Sequence, residues 1–296
     1  MSRLRIQHRT VYRYARPVRF GRHRLVLRPR EGHDLRVLSM SLQIDPAHQI
    51  VWTRDVFGNS VAILDFDVEA ARLEIFTDVI VERWAPFPRP VAHEPWAVPY
   101  PVTYDAMETA VASAYQNSTY PEEAALVRDW IDRILPPDTR DDAEDMMLRV
   151  CGSIKKEIQY LRRSEKGVQS PVRTLQEGKG SCRDMATLML EAVRVLGISS
   201  RFASGYLHCA ASDAGRASTH AWMEAYLPGL GWRGFDPTLG EPASQKHIAV
   251  GVSHHPRGVM PISGLYSGDR GDFLEMTVQV ATEALDLAEI ETEARA

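Results

Sequence analysis

Six prolines fall between positions 86 and 101: Pro86, Pro88, Pro90, Pro95, Pro99 and Pro101. Each one holds φ at about −65° and removes a backbone donor, so neither a helix nor a central strand runs through the stretch. It divides the 296 residues into two differently patterned parts. The expectation is an α+β chain. Residues 1–84 form an N-terminal antiparallel β-sandwich-like domain. Residues 85–140 are an ordered proline-rich linker and a helix. Residues 141–285 are a core in which helices precede strands, and residues 286–296 are a disordered tail.

The first part reads as strands because short β-branched and aromatic runs alternate with turn signals. The run from Ile44 to Trp52 breaks at Asp45-Pro46. Asp55 to Ser60 reads as a hairpin connection leading into Val61–Phe66, and Leu73–Val81 is a further strand. Beyond the prolines the apolar period changes. Helices are expected over 122–135, ended by Pro136-Pro137, and over 141–159. In the second, Met147, Val150, Cys151, Ile154 and Ile158 share one face. A third runs from Cys182 to a stop at Gly197, with Met185, Leu188, Ala192 and Val195 turned to the core. Strands follow at 201–207, 220–227, 231–235, 248–252 and 274–280.

Charge and composition narrow the partners. The net charge is −4 and hydrophobic residues make up 44% of the chain, so nothing global points to nucleic acid. Eleven arginines crowd residues 1–36, against Glu31 and Asp34 alone. Ile6, Val11, Tyr12 and Leu25 interleave with them, which reads as the solvent face of strands before it reads as a polyanion site. No apolar run of about 20 residues offers a membrane span. The N-terminus lacks the apolar segment of a signal peptide, and the expected location is cytoplasmic.

The three cysteines are Cys151, Cys182 and Cys209. An odd number without a Cys-x-x-Cys argues against a disulfide framework or a zinc site. Cys151 reads as a small buried hydrophobe on a helix face. His208-Cys209 reads as a structural strand edge, and His254-His255 as a loop pair. Cys182 differs because Gly180-Ser181-Cys182-Arg183-Asp184 opens a helix. Unpaired N–H groups at a helix start favour an anion, and so does a neighbouring imidazolium. Ser181 is a good N-cap, and Asp184 three residues on completes a capping box.

Two further residues complete a nucleophile's set. His220 opens an alternating run shared by Trp222, Glu224 and Tyr226 on one face. Asp236 precedes Pro237. If Leu227 to Gly231 is a hairpin connection and Tyr226 pairs with Trp232, then Trp222 pairs with Asp236. His220 and Asp236 then lie diagonally on one face, and a one-residue slip would separate them. Cys182 is the candidate nucleophile, His220 the base and acid, and Asp236 the orienter. The Cys182 N–H is a natural first oxyanion donor. Tyr160, Gln169 and Trp222 are candidates for the second, and Ser181 and Arg183 are candidate cleft residues. Trp222 and Trp232 either wall the cleft or pack in the core.

With these motifs the chain resembles the transglutaminase-like cysteine protease superfamily, in its bacterial branch with an N-terminal β-domain. Gly180-Ser181-Cys182-Arg183-Asp184-Met185-Ala186 carries the likeness, with Leu196-Gly197-Ile198 and Ser204-Gly205-Tyr206-Leu207 after it. His220-Ala221-Trp222, Leu227 to Trp232 and Phe235-Asp236-Pro237-Thr238 continue it. His8 to Tyr14 and Asp55 to Asn59 extend it into the first domain. The resemblance implies a papain-like, transglutaminase-like catalytic core over 141–285, with the catalytic helix packed on an antiparallel sheet and a Cys-His-Asp triad. Arg183 stands where glutamine is expected, Met185-Ala186-Thr187 replaces Phe-Ala-His, and Leu239 replaces asparagine.

The function expected is hydrolysis of a peptide or isopeptide-like amide in a peptide or protein substrate, through a thioester. Transfer of the acyl group to an amine is the alternative. An inactive binding module and a redox-sensing thiol protein are the competing classes. No cofactor and no metal is expected: the cysteine pattern argues against zinc, and with no EF-hand-like or clustered-acid loop calcium is not implied. The sequence leaves the oligomeric state open.

Overall fold

The computed structural model describes residues 2–84, 97–163, 167–208, 219–269 and 271–285. Residues 85–96 of the expected linker, Cys209 and the tail at 286–296 lie outside the described residues.

The N-terminal half is built from β1 (Ser2–Phe20), β2 (His23–Leu25), β3 (Leu35–Asp45), β4 (Gln49–Arg54), β5 (Ser60–Asp65) and β6 (Glu69–Arg83). β1 explains the arginine-rich start. Leu4, Ile6, His8 and Thr10 are buried, while Arg3, Arg5 and Arg9 face outward to Glu82, Asp78 and Glu74 of β6. Side chains alternate faces along a strand, so every second residue meets water. Partly exposed pairs of this kind contribute about 0–1 kcal/mol each; their larger effect here is on cross-strand register.

After the prolines come α1 (Thr109–Gln116), α2 (Ala124–Ile134), α3 (Ala143–Glu157), β7 (Gln159–Tyr160), α4 (Pro171–Glu177), β8 (Lys179–Gly180) and α5 (Cys182–Val195). The strands of the second sheet are β9 (Ser200–Leu207), β10 (Thr219–Leu227), β11 (Gly231–Asp236), β12 (Glu241–Pro242) and β13 (His247–Ser253). They are ordered β12-β11-β10-β9-β13, with every pairing antiparallel. Helix α5 packs on this sheet and is also enclosed by α2, α3 and α4. The expected apolar stripe is therefore part of a helix buried almost all round, from Asp184 to Arg194. Its polar residues are paired accordingly: Arg194 Nη1 donates to Glu191 at 2.7 Å.

One boundary falls elsewhere than expected. β14 (Ile262–Ser263), β15 (Tyr266–Ser267) and β16 (Phe273–Leu285) leave the second sheet and return to the first half. β14 pairs with β2, and β15 and β16 pair with β1. Their alternation reads as strand, but an exposed edge of β1 needed a partner, and only the folded chain decides which segment covers it. Residues 262–285 thus belong with the N-terminal sheets and not with the core. The sequence reading also passed over α1 and α4, although α4 carries local signals. Pro171 opens it, Ser170 Oγ accepts from the Arg173 N–H, and Gly178 stops it at φ +60°.

The two halves share buried surface. Leu4, Ile6, Val79 and Val81 of the first sheet pack with Tyr206, Ile248 and Val250 of the second. Asn59 clasps β13 through both of its side-chain atoms. Its Nδ2 donates to the Val252 carbonyl at 2.8 Å, and its Oδ1 accepts from the Val252 N–H at 2.9 Å. None of the described helices is long and apolar enough to cross a membrane.

Candidate active site

Cys182 is the first residue of α5, and Asp184 sets up that helix start. Asp184 is fully buried. Its Oδ2 accepts from the Ser181 N–H and the Ser181 hydroxyl, both at 2.8 Å, which closes the capping box. Its Oδ1 accepts from the Gln169 N–H at 2.7 Å, and Arg163 Nε donates to Oδ2 at 2.8 Å. Burial alone would raise this carboxyl; the two amides and Arg163 outweigh it and hold Asp184 below the usual carboxylate range. The expected role of Asp184 and Ser181 as a cap is the one observed. The loop ahead of α4 and the segment after β7 are thereby tied to the residue that carries the thiol.

His220 and Asp236 arrive from β10 and β11 in the expected register. Tyr226 pairs with Trp232, and Met223 with Phe235. His220 Nε2 lies 2.7 Å from Asp236 Oδ2, and the Cys182 thiol is within electrostatic reach of the same ring. Burial opposes a charge on this imidazole, but Asp236 and Cys182 together raise His220 to about 10. Of the candidate set, these three residues are brought together.

Asp236 is more heavily satisfied than two-residue reasoning suggested. It is fully buried. Oδ2 meets His220 Nε2 and also His247 Nε2 at 2.9 Å, while Oδ1 accepts from the Thr238 N–H at 2.9 Å and the Thr238 hydroxyl at 2.6 Å. Burial pushes Asp236 up, yet the hydrogen bonds of His220 and His247 outweigh it and hold the carboxyl far below its ordinary range. His247 and Thr238 were not among the sequence candidates. Thr238 carried a signal, because a threonine two residues after an aspartate closes such a turn. His247 carried none, since it enters from β13.

His220, Asp236 and His247 are also residues of metal-ligand type, with ligand atoms within 4.8 Å of one another. The hydrogen bonds do not suit a metal. The Ser244 N–H donates to His247 Nδ1 at 3.0 Å, so that nitrogen is an acceptor and Nε2 carries the proton given to Asp236. A metal-bound imidazole has the reverse arrangement, with the ligating nitrogen bare and the other one donating.

The remaining candidates separate. Tyr160 is half exposed, and Gly180 is its partner across the β7–β8 ladder. Burial first and Cys182 second raise its hydroxyl, while Arg162 and Arg183 oppose them. Cys182, Arg162 and Arg183 are therefore all within electrostatic reach of the Tyr160 hydroxyl. Gln169 is buried, and its side-chain amide donates to Glu177 at 2.8 Å, a bond that competes with service as an oxyanion donor. Trp222 is 2% exposed and stands edge-on to His247 at 5.1 Å. It packs behind the triad and is not a cleft wall. Gly205 makes room for it: a Cβ there would lie 2.0 Å from the Ile248 carbonyl and 2.9 Å from the indole.

The other groups are accounted for. Cys151 is fully buried on α3, and burial pushes its thiol up. His254 meets the Asn117 carbonyl at 2.8 Å, and His255 meets the Tyr120 hydroxyl at 3.3 Å, so the loop pair does not converge on one centre.

Comparison with known proteins places this geometry. Residues 4–82 match the bacterial transglutaminase-like N-terminal region, and residues 129–237 match the transglutaminase-like superfamily. The uncharacterized protein ML0607 of Mycobacterium leprae is 24% identical over 285 residues, which is 95% of this chain and 99% of the relative. The uncharacterized protein Rv2569c of Mycobacterium tuberculosis is 27% identical over 297 residues, covering 94% and 92%. The crystal structure of a candidate cysteine protease from Cytophaga hutchinsonii superposes with a TM-score of 0.71 at 18% identity, over 97% of this chain and 92% of that one. The chain thus carries a bacterial transglutaminase-like N-terminal region at residues 4–82 and a transglutaminase-like core region at residues 129–237.

Proposed function

We propose that the protein is a thiol-dependent acyl-transfer enzyme that hydrolyses an amide of a peptide or protein. One observation carries this reading: His220 is bonded to a buried carboxylate that makes four hydrogen bonds, within electrostatic reach of the Cys182 thiol. His220 takes the proton of the Cys182 thiol, the Sγ thiolate attacks the amide carbonyl carbon, and the C–S bond forms as the carbonyl oxygen takes up the electron pair. The Cys182 N–H at the start of α5 receives that oxyanion. His220 gives its proton to the departing nitrogen, the C–N bond breaks, and a thioester remains. Water then attacks the thioester while His220 takes its proton. The C–S bond breaks and a carboxylic acid leaves. Asp236 keeps the imidazole oriented and stabilises its charged form throughout.

Iodoacetamide tests the nucleophile directly. Cys182 is expected to be alkylated fast near neutral pH, and Cys151 only slowly. Equal, slow labelling of the two would instead favour a binding module built on this fold. Cys182→Ala, used as a trap, retains bound substrate for mass spectrometry. Product analysis with and without an added amine separates hydrolysis from transamidation.

A further inference from the structure

A basic pocket of about 200 Å³ adjoins the helix that carries Cys182, and its walls include Arg162, Arg163, Arg173 and Lys179. Glu177 is the one acid among its lining residues. Two of the cations are already spent. Arg163 pairs with Asp184, and Arg173 Nε donates to Glu177 at 2.7 Å, where Gln169 also donates. Among the described residues, Arg162 and Lys179 have no ion pair, and both are exposed.

The backbone fixes where this charge sits. Gln159 and Tyr160 pair in parallel with Lys179 and Gly180. The Leu161 N–H then donates to the Gly180 carbonyl at 2.8 Å, and Arg163 reaches Asp184. Residues 161–163 therefore run beside residues 180–184, and Lys179 lies on the strand that leads into Cys182. Arg183, next to the nucleophile, adds a third cation with no ion pair among the described residues.

We propose that this pocket is a substrate subsite for a carboxylate, so that the amide cleaved at Cys182 lies in a peptide with an acidic side chain close to the scissile bond. The proposal rests on Cys182 being the nucleophile. Arg162 and Lys179 meet the carboxylate, and Glu177 keeps Arg173 and Gln169 in place at the back of the pocket. Exposed cations of this kind give selectivity more than tight binding.

The test uses two chloroacetyl probes that differ in one group: N-chloroacetyl-glutamate amide and N-chloroacetyl-glutamine amide. The Cys182 sulfur displaces chloride from either one, forming a C–S bond as the C–Cl bond breaks. Saturation kinetics of labelling, followed by intact mass, separate probe affinity from the alkylation step. The glutamate probe is expected to bind about fivefold more tightly, with that preference shrinking between ~0.05 M and ~1 M salt. In Arg162→Gln/Lys179→Gln the affinity ratio falls to about one. Equal affinities for the two probes in the unaltered protein, with Cys182 still alkylated fast by iodoacetamide, overturn the subsite alone. So does a preference that survives the double substitution. Slow iodoacetamide labelling of Cys182 overturns the nucleophile and, with it, the subsite.

Discussion

His220 and His247 share a single oxygen: their Nε2 atoms lie 2.7 and 2.9 Å from Asp236 Oδ2. One imidazole faces the thiol. The other is locked by the Ser244 N–H as a donor and faces only the carboxylate. The orienting acid is therefore itself oriented from β13, a strand on the far side of β9.

Asp236→Asn replaces an acceptor of four hydrogen bonds by an amide that presents one acceptor oxygen. Loss of the orienting acid is expected to cost about 10²–10⁴ in kcat on any substrate found. It also removes the larger of the two partners that raise His220, leaving Cys182 alone against burial. The alkaline limb of the pH–rate profile, set by a group at about 10, then moves to lower pH. An unchanged alkaline limb would show that Asp236 does not hold the His220 proton.

His247→Phe leaves the His220–Asp236 contact intact but removes one of the donors holding the Asp236 carboxyl down. Because that carboxyl is depressed in the folded protein, its stabilisation is present above its unfolded value of about 3.9 and fades as pH falls through the folded one. Raising the folded value shrinks the contribution. The acid-unfolding midpoint, followed by circular dichroism, should shift to higher pH. His247→Gln, which keeps an N–H donor, should recover part of the shift; a purely space-filling role for His247 predicts no such recovery.

The alkaline side runs the other way. His220 is raised in the folded state, so its contribution to stability is full below its unfolded value of about 6.5 and is lost as pH climbs through about 10. The melting temperature of the unaltered protein should therefore fall progressively from about pH 6.5 to about pH 10. In Asp236→Asn that part of the fall should shrink and move to lower pH.

Gly205→Ala drives a methyl group into the Ile248 carbonyl and the Trp222 ring. Overpacking of this kind costs about 1–3 kcal/mol, and the backbone carbonyl leaves little room to yield. A lower denaturant midpoint is expected, together with slower Cys182 alkylation, since Gly205 pairs with His220 across β9 and β10. Loss of stability with unchanged alkylation would mean that the strain does not reach the triad.

Arg163→Ala unpairs the buried Asp184 carboxylate that caps α5. Breaking a buried pair on one side costs about 3–5 kcal/mol. The loss should appear in thermal unfolding and exceed that of Arg5→Ala, whose partner Asp78 sits on the outer face of the first sheet. Equal losses would mean that water already reaches Asp184.

Much of the site was legible in the sequence because its local steps are short-range. Ser181 and Asp184 cap a helix by themselves, so Cys182 could be placed at its first turn. The connection from Leu227 to Gly231 sets a register, and a strand's two-residue period then puts His220 and Asp236 on one face. Alternation along residues 3–10 likewise turned the arginines outward. These readings depend on residues a few positions apart, whose geometry the backbone alone constrains.

What only the tertiary structure decided depends on partners far apart in the chain. His247 joins Asp236 because β13 pairs with β9. Residues 262–285 complete the first half because β1 and β2 offer them edges. Helix α5 is buried almost all round, and Arg162 and Lys179 converge beside it through a two-residue parallel ladder. Hydrophobic periodicity states which face of a segment is buried but not what covers it, and long-range pairing is chosen only when the whole chain competes for the same edges and surfaces.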